Sequence, residues 1–129
     1  MAKTKYESSE ETGALEVLSQ GKISGQDLNS FFNMHSPSTF VFKVKSAALK
    51  ADGISVGDIA VCDRSILVKD GDIIVISVDG RFYLRRFVDG IEPYLEGDEN
   101  IKRIYLSKAK EIDVFGVVTG IFRKIAKNS

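Results

Sequence analysis

Few side chains in this sequence have the types and neighbours that covalent or metal chemistry requires. The single cysteine, Cys62, lies in the apolar run 59–62, and such surroundings favour a buried, unreactive thiol over a nucleophile. The single histidine, His35, has no cysteine or carboxylate cluster beside it, so we interpret it as a turn residue packing over the first strand. The sequence therefore predicts neither a metal site nor a cofactor.

Length and composition describe one small domain with a short arm. The 129 residues are 43% hydrophobic, enough for one core, and 18 Lys and Arg balance 18 Asp and Glu. This balance argues against a protein whose main role is to coat nucleic acid. A lone cysteine fits a reducing compartment, and neither a transmembrane-length apolar stretch nor a signal core is found in the sequence. We expect a cytoplasmic protein that does not bind a membrane.

From residue 39 onward the sequence has the β-branched and aromatic content and the turn residues of short strands. Strands are predicted over residues 39–45, 58–63, 72–78, 81–87, 92–95, 103–107 and 112–122. Residues 72–78 are nearly all apolar, which predicts a strand buried on both faces. The Asp79-Gly80 pair predicts a type I′ hairpin, and Gly116 and Gly120 are expected bend or bulge points.

Residues 1–27 are mostly polar and carry only scattered apolar side chains. We expect this segment to be a flexible arm that is disordered or takes its order from a neighbour. Asp27 could cap a short helix over residues 28–33, and Pro37 closes the turn that follows. The predicted organisation is a mainly β domain over residues 28–129, with a short N-terminal helix, preceded by the arm.

The turn motifs occur in an order that resembles a known family. They are Gly-Ile-Ser-Val-Gly-Asp at 53–58, Gly-Asp at 71–72, the Asp79-Gly80 hairpin and Asp-Val-Phe-Gly-Val-Val at 113–118. This series resembles the self-cleaving peptidase domain, a β-clip-like fold, shared by LexA-type repressors and UmuD-like proteins. The similarity is greatest to UmuD-like proteins and runs from about Leu28 to the C-terminus.

The resemblance assigns a nucleophile and a base to two positions that cannot fill these roles. The family uses a serine, activated by a desolvated lysine. The matching nucleophile position holds Ala48, followed by Leu49 instead of the usual Met, and the base position holds Arg85. Alanine has no nucleophilic atom, and arginine keeps its proton. Ser46 does not replace the nucleophile, because two residues along a strand displace its oxygen by about 7 Å. The resemblance thus implies a non-catalytic pseudo-peptidase.

The resemblance also implies a former cleavage site and a set of partners. The cleavage site maps to Thr12 and Gly13, where the family usually has Cys or Ala before Gly, and the loop 94–100 lacks the family's Pro and Asn. The implied function is an accessory or regulatory subunit in the SOS DNA-damage response. Such a chain forms a homodimer, or a heterodimer with an intact relative, and binds an error-prone translesion polymerase subunit. A RecA filament is a further implied partner, and DNA is contacted only indirectly.

Three charged side chains near the two positions, Lys45, Lys50 and Arg86, are interpreted as solvated charges. The basic tail at 123–127 could contact DNA phosphates in a polymerase complex. A solvated terminus is the favoured interpretation, since the chain as a whole is neutral.

Two alternatives remain open at this point. The chain could be an inactivated variant of a self-processing Ser-Lys peptidase, since an experimenter would install Ala48 to trap an uncleaved form. Arg85 and Leu49 are not usual laboratory choices, which favours natural degeneration. A LexA-type repressor is the other alternative, but residues 1–27 are too few for a helix-turn-helix domain and linker.

Overall fold

The computed structural model describes residues 12–20 and 38–125, and these ranges form a mainly β structure. The strands are β1 Ala14–Gln20, β2 Thr39–Val44, β3 Ile59–Asp63, β4 Ile73–Val78, β5 Arg81–Val88, β6 Tyr94–Glu96, β7 Ile104–Tyr105 and β8 Ile112–Phe122, with 3₁₀ turns at Lys50–Asp52 and Leu106–Lys108. The mainly β fold class is therefore confirmed. The predicted helix at 28–33 and His35 lie outside the described residues. Within the described ranges, no helix is long and apolar enough to cross a membrane.

The strands form an antiparallel sheet that β1 closes into a ring. The sheet order is β1-β2-β3-β8-β4-β5-β6-β7, and β1 also pairs with β5. Residues 14–20 were expected to belong to an arm that is disordered or takes its order from a neighbour, and in the structure they form a strand paired with β2 and β5. The backbone groups of β2 and β5 pair with this segment, and Ala14 and Leu15 pack against the core. The arm segment is thus an integral strand of the barrel.

The last strand contains both of the irregularities that its glycines predicted. The register of β8 shifts opposite β4 beside Gly116, and opposite β3 beside Gly120. A Cβ added at Gly116 would lie 2.6 Å from the Cys62 Sγ, so only glycine permits this approach of β8 to β3. These bulges bend β8 so that its first half pairs with β4 and its second half with β3.

The hairpin and the buried strand next to it also match their sequence predictions. Asp79 and Gly80 both have positive φ, at 51° and 80°, as a type I′ turn requires. In β4, Val75 packs into one apolar cluster with Ala48, while Ile74 and Ile76 pack into the other. Burial of both faces of β4 explains its nearly continuous apolar sequence.

Candidate functional site

The nucleophile position lies in the turn that follows β2. Ala48 and Leu49 are fully buried, and the Leu49 carbonyl accepts hydrogen bonds from the backbone N–H groups of Asp52 and Ile54. These bonds tie the turn to the 3₁₀ turn Lys50–Asp52 and fix the Ala48 methyl group in the barrel interior. Ala48 and Leu49 turn inward because they are an apolar pair in a turn whose other residues are polar or small.

A second loop, between β6 and β7, holds the same turn from the opposite side. The Asp98 N–H donates to the Ala48 carbonyl over 2.7 Å, and the Asp98 carboxylate accepts from the Lys50 N–H at 2.9 Å. A Cβ at Gly97 would come within 3.0 Å of the Ala48 carbonyl oxygen, so this approach requires glycine. Sequence analysis noted that loop 94–100 departs from the family but missed Asp98. Its partners lie almost fifty residues away, and no local pattern marks such a contact.

The base position lies in β5 and holds a buried cation. Arg85 is only 3% exposed, and its Nη1 donates to the Leu84 carbonyl over 2.7 Å. Its Cζ lies 5.9 Å from the centre of the Tyr83 ring. Its Nε has no hydrogen-bond partner, and in the described part of the chain no carboxylate forms an ion pair with it. Burial lowers the pKa of Arg85 to about 10, which still leaves the group charged at neutral pH.

The start of β1 occupies the space between these two positions. The Gly13 carbonyl accepts a hydrogen bond of 2.9 Å from the Leu84 N–H, and the Ala14 carbonyl accepts one of 2.9 Å from the Lys45 N–H. Arg85 Nη1 lies 3.5 Å from the Thr12 carbonyl oxygen. The bond between Thr12 and Gly13 therefore lies directly against Arg85, in the turn immediately before β1.

Gly13 fits this place because it has no side chain. Its φ is +79°, and an added Cβ would lie 2.6 Å from Arg85 Nη1 and 2.8 Å from the Ala48 Cβ. Both separations are shorter than any normal contact, and positive φ strains other residues. The structure thus brings together all four residues singled out from the sequence: Thr12, Gly13, Ala48 and Arg85.

At this point the peptide bond between Thr12 and Gly13 meets the methyl group of Ala48 and the guanidinium of Arg85. Ser46, the nearest hydroxyl-bearing residue in the turn, uses its N–H to donate to the Ala14 carbonyl over 3.2 Å. Ser46 therefore lies beside Ala14, beyond Gly13, rather than beside the Thr12 carbonyl. What these groups can do chemically is bind and orient an extended peptide.

Two of the three charged side chains interpreted as solvated, Arg86 and Lys45, take part in ion pairs, and for the largely buried Arg86 that interpretation is wrong. Arg86 bonds to the Asp52 carboxylate and, over 2.9 Å, to that of Glu96, which ties β5 to the 3₁₀ turn and β6. Lys45 pairs with Glu16 over 3.7 Å, with both side chains more than half exposed, as expected for a solvated charge.

Arg123 has a structural role that the sequence analysis did not foresee. Its guanidinium donates to both carboxylate oxygens of Asp58, over 2.7 and 2.6 Å, and to the Gly53 carbonyl over 2.5 Å. These hydrogen bonds hold the pKa of Asp58 below its ordinary value. The favoured interpretation of this residue as part of a solvated terminus is therefore wrong, because it binds the turn before β3.

Cys62 behaves as its sequence context indicated. The thiol is fully buried, and burial raises its pKa to about 12, so it stays protonated and unreactive. Among residues 12–20 and 38–125, no three metal-ligating side chains cluster together.

Comparison with known proteins gives the chain its family. It is 29% identical over 98 residues to Protein ImpA of Salmonella typhimurium, covering 76% of this chain and 68% of that protein. It is 33% identical over 89 residues to the LexA repressor of Geotalea uraniireducens and 32% identical to that of Thermotoga petrophila, covering 67% of this chain and 44% of each repressor. The Peptidase S24-like profile matches residues 8–119, a range that includes Thr12, Gly13, Ala48 and Arg85. The LexA/UmuD relationship predicted from the sequence is thereby confirmed at the level of the family, and this chain belongs to the Peptidase S24-like family.

Proposed function

We propose that this chain is a non-catalytic, UmuD-like member of its family that acts as a binding subunit. The observation that carries the proposal is the peptide bond between Thr12 and Gly13, which lies between Ala48 and Arg85. Ala48 offers only a methyl group at the place where the family's nucleophile would stand. We call the space between Ala48 and Arg85, in which Thr12 and Gly13 lie, the groove. The groove therefore binds the segment that its relatives cut, and leaves it intact.

The charge on Arg85 adds a second obstacle to catalysis. With a pKa of about 10, roughly one molecule in a thousand has a neutral guanidine at pH 7. A protonated base cannot accept the hydroxyl proton that nucleophilic attack releases. Removal of the nucleophile of a serine peptidase alone costs about a million-fold in turnover, and the second loss adds little because the pair acts as a unit.

The proposed partners follow from the resemblance to UmuD-like proteins. They are a second copy or an intact relative, an error-prone translesion polymerase subunit and a RecA filament, in the SOS response. Half-exposed apolar side chains on the arm and on the last strand, Val17, Leu18 and Val114, support an assembly surface there. The matches to Protein ImpA and to LexA repressors support this class of function over an unrelated binding role.

The proposal is tested by incubating the purified full-length chain with RecA filaments and ATP and following its intact mass. We expect no change of mass, and gel filtration should give a dimer. A family member that retains the Ser-Lys pair serves as the control for filament activity. Appearance of a fragment that begins at Gly13 would overturn the non-catalytic assignment.

A second candidate function is supported by the same geometry. The bond between Thr12 and Gly13 lies where a self-processing peptidase would need it, which favours an active ancestor inactivated by substitution at Ala48 and Arg85. The codons in the source gene discriminate between the two. Serine and lysine codons at 48 and 85 would make the natural protein a peptidase.

A further inference from the structure

Arg85 makes the groove sensitive to the charge on the first residue of a bound strand, which is a property separate from the loss of catalysis. Its Nη1 lies 3.5 Å from the Thr12 carbonyl oxygen and 2.6 Å from the place where a Cβ on Gly13 would stand. The guanidinium is therefore beside the peptide group that joins these two residues. That group is neutral, and it turns its oxygen, the negative end of its dipole, toward the cation.

A strand that began at Gly13 would present the opposite charge pattern. Its first nitrogen would be an ammonium group in the place of the neutral amide, and the Thr12 oxygen would be missing. Two cations a few ångströms apart in a site with little water repel strongly. The cation that accommodates an intact strand would thus disfavour a cut one.

The described groups around the Gly13 nitrogen do not offset the repulsion between an ammonium group there and the Arg85 guanidinium. Tyr83 on β5 presents an aromatic ring to Arg85 rather than a carboxylate, and Lys45 after β2 adds a further positive charge. The nearest carboxylate on β1, that of Glu16, is exposed and already paired with Lys45. Within the described ranges no carboxylate pairs with Arg85.

We propose that this groove is a receptor for an uninterrupted strand of the β1 sequence, and that Arg85 excludes a strand beginning with a free amino group at Gly13. The inference rests on the proposed function and deepens it, because it names the ligand of the inactive site. The groove then distinguishes an intact arm from one that a protease has cut. A cut arm leaves, and the edges of β2 and β5 become open to another strand.

The expected difference in affinity between an N-acetylated and a free-amine strand follows from the pKa values of the α-amino group and of Arg85. An α-amino group ordinarily has a pKa of about 7.7–8.0, while Arg85 stays charged up to about pH 10. A free-amine strand then binds only in its neutral form. Relative to an N-acetylated strand it should bind about tenfold more weakly at pH 7 and about a hundredfold more weakly at pH 6, with little difference at pH 9.

The test uses the full-length Gly13→Ala variant as host, because its own arm docks poorly and leaves the groove accessible. Two synthetic peptides with the sequence of residues 13–20, one N-acetylated and one with a free amine, are titrated into the labelled protein. The backbone amides of Lys45 and Leu84, which bond to the strand, report binding by NMR. Unchanged amide signals from β4 and β8 verify that the rest of the barrel is folded. The wild-type chain is a second host at higher peptide concentration.

The control host carries Arg85→Gln in addition, and there the two peptides should bind equally at every pH. Equal affinity at pH 6 in the host that retains Arg85, or failure of both peptides to bind in either host, would overturn the inference. A preference that persists in the Arg85→Gln host would also overturn it. None of these outcomes involves cleavage, so they are separate from self-cleavage of the full-length chain, which would overturn the proposed function.

Discussion

Placing a serine at position 48 and a lysine at position 85 should convert this chain into a self-cleaving protein. The perturbation is the double variant Ala48→Ser with Arg85→Lys, which supplies a hydroxyl and an amine at the two positions against which the bond between Thr12 and Gly13 lies. Because an added Cβ on Gly13 would lie 2.8 Å from the Ala48 Cβ, a serine hydroxyl at position 48 would come within about 3–3.5 Å of the bound backbone.

The magnitude depends on how far burial lowers the pKa of the new lysine. Desolvation in the same site, partly opposed by Tyr83, lowers the pKa of Arg85 to about 10. A lysine, ordinarily at about 10.4, should be displaced in the same direction, toward the neutral range. The rate of cleavage should then rise about tenfold per pH unit until the lysine is mostly neutral, and level off above that pH.

The assay is intact-mass spectrometry of the double variant over about two days between pH 6 and 10. We expect two products that together account for the chain, one ending at Thr12 and one beginning at Gly13. Each single variant should remain uncut, because the pair acts as a unit. Adding Gly13→Ala should block cleavage by displacing the strand. A folded double variant that stays whole at every pH would refute the claim that the strand lies in a cleavage-competent position.

Three further substitutions test the structural account. Gly13→Ala should speed hydrogen exchange at the Leu84 amide by about tenfold or more, since it undocks the start of β1; unchanged exchange would contradict the tight fit. Asp98→Ala should lower the free energy of unfolding by about 1–3 kcal/mol in urea titrations, with a smaller loss for Asp98→Asn. Arg123→Gln should destabilise the fold at pH 7, and the difference from wild type should shrink as the pH falls through the titration of Asp58, leaving the part due to the hydrogen bond to the Gly53 carbonyl. The pKa of Asp58 is depressed in the folded state, so its stabilisation is present above the unfolded pKa and lost as the pH falls through the folded one. A difference that did not shrink on acidification would exclude this ion pair as its cause.

The strands were predictable because their signals are local. The apolar run of β4, the Asp79-Gly80 turn and the glycines of β8 each specify structure within a few residues of sequence. The register shifts beside Gly116 and Gly120 were predictable for the same reason, since a bulge needs a residue that tolerates unusual backbone geometry.

The features that sequence reasoning missed all depend on contacts between distant segments. The strand at 14–20 is set in a mostly polar stretch of sequence, and its order comes from pairing with β2 and β5 and from packing of Ala14 and Leu15 against the core. Asp98 bonds to a turn almost fifty residues earlier, and Arg123 to one sixty-five residues earlier. Hydrogen bonds of this kind leave no periodic pattern. Ala48 and Arg85, by contrast, were singled out through resemblance to a family, and the fold brings both against the segment at Thr12 and Gly13.

The central claim is that this groove holds the bond between Thr12 and Gly13 and cannot cut it. The most direct measurement is the intact mass of the unaltered full-length chain after about two days at pH 10, which is about the lowered pKa of Arg85. The account predicts a single species of unchanged mass, because Ala48 offers no nucleophile even when the guanidine is neutral. A fragment beginning at Gly13 would contradict it.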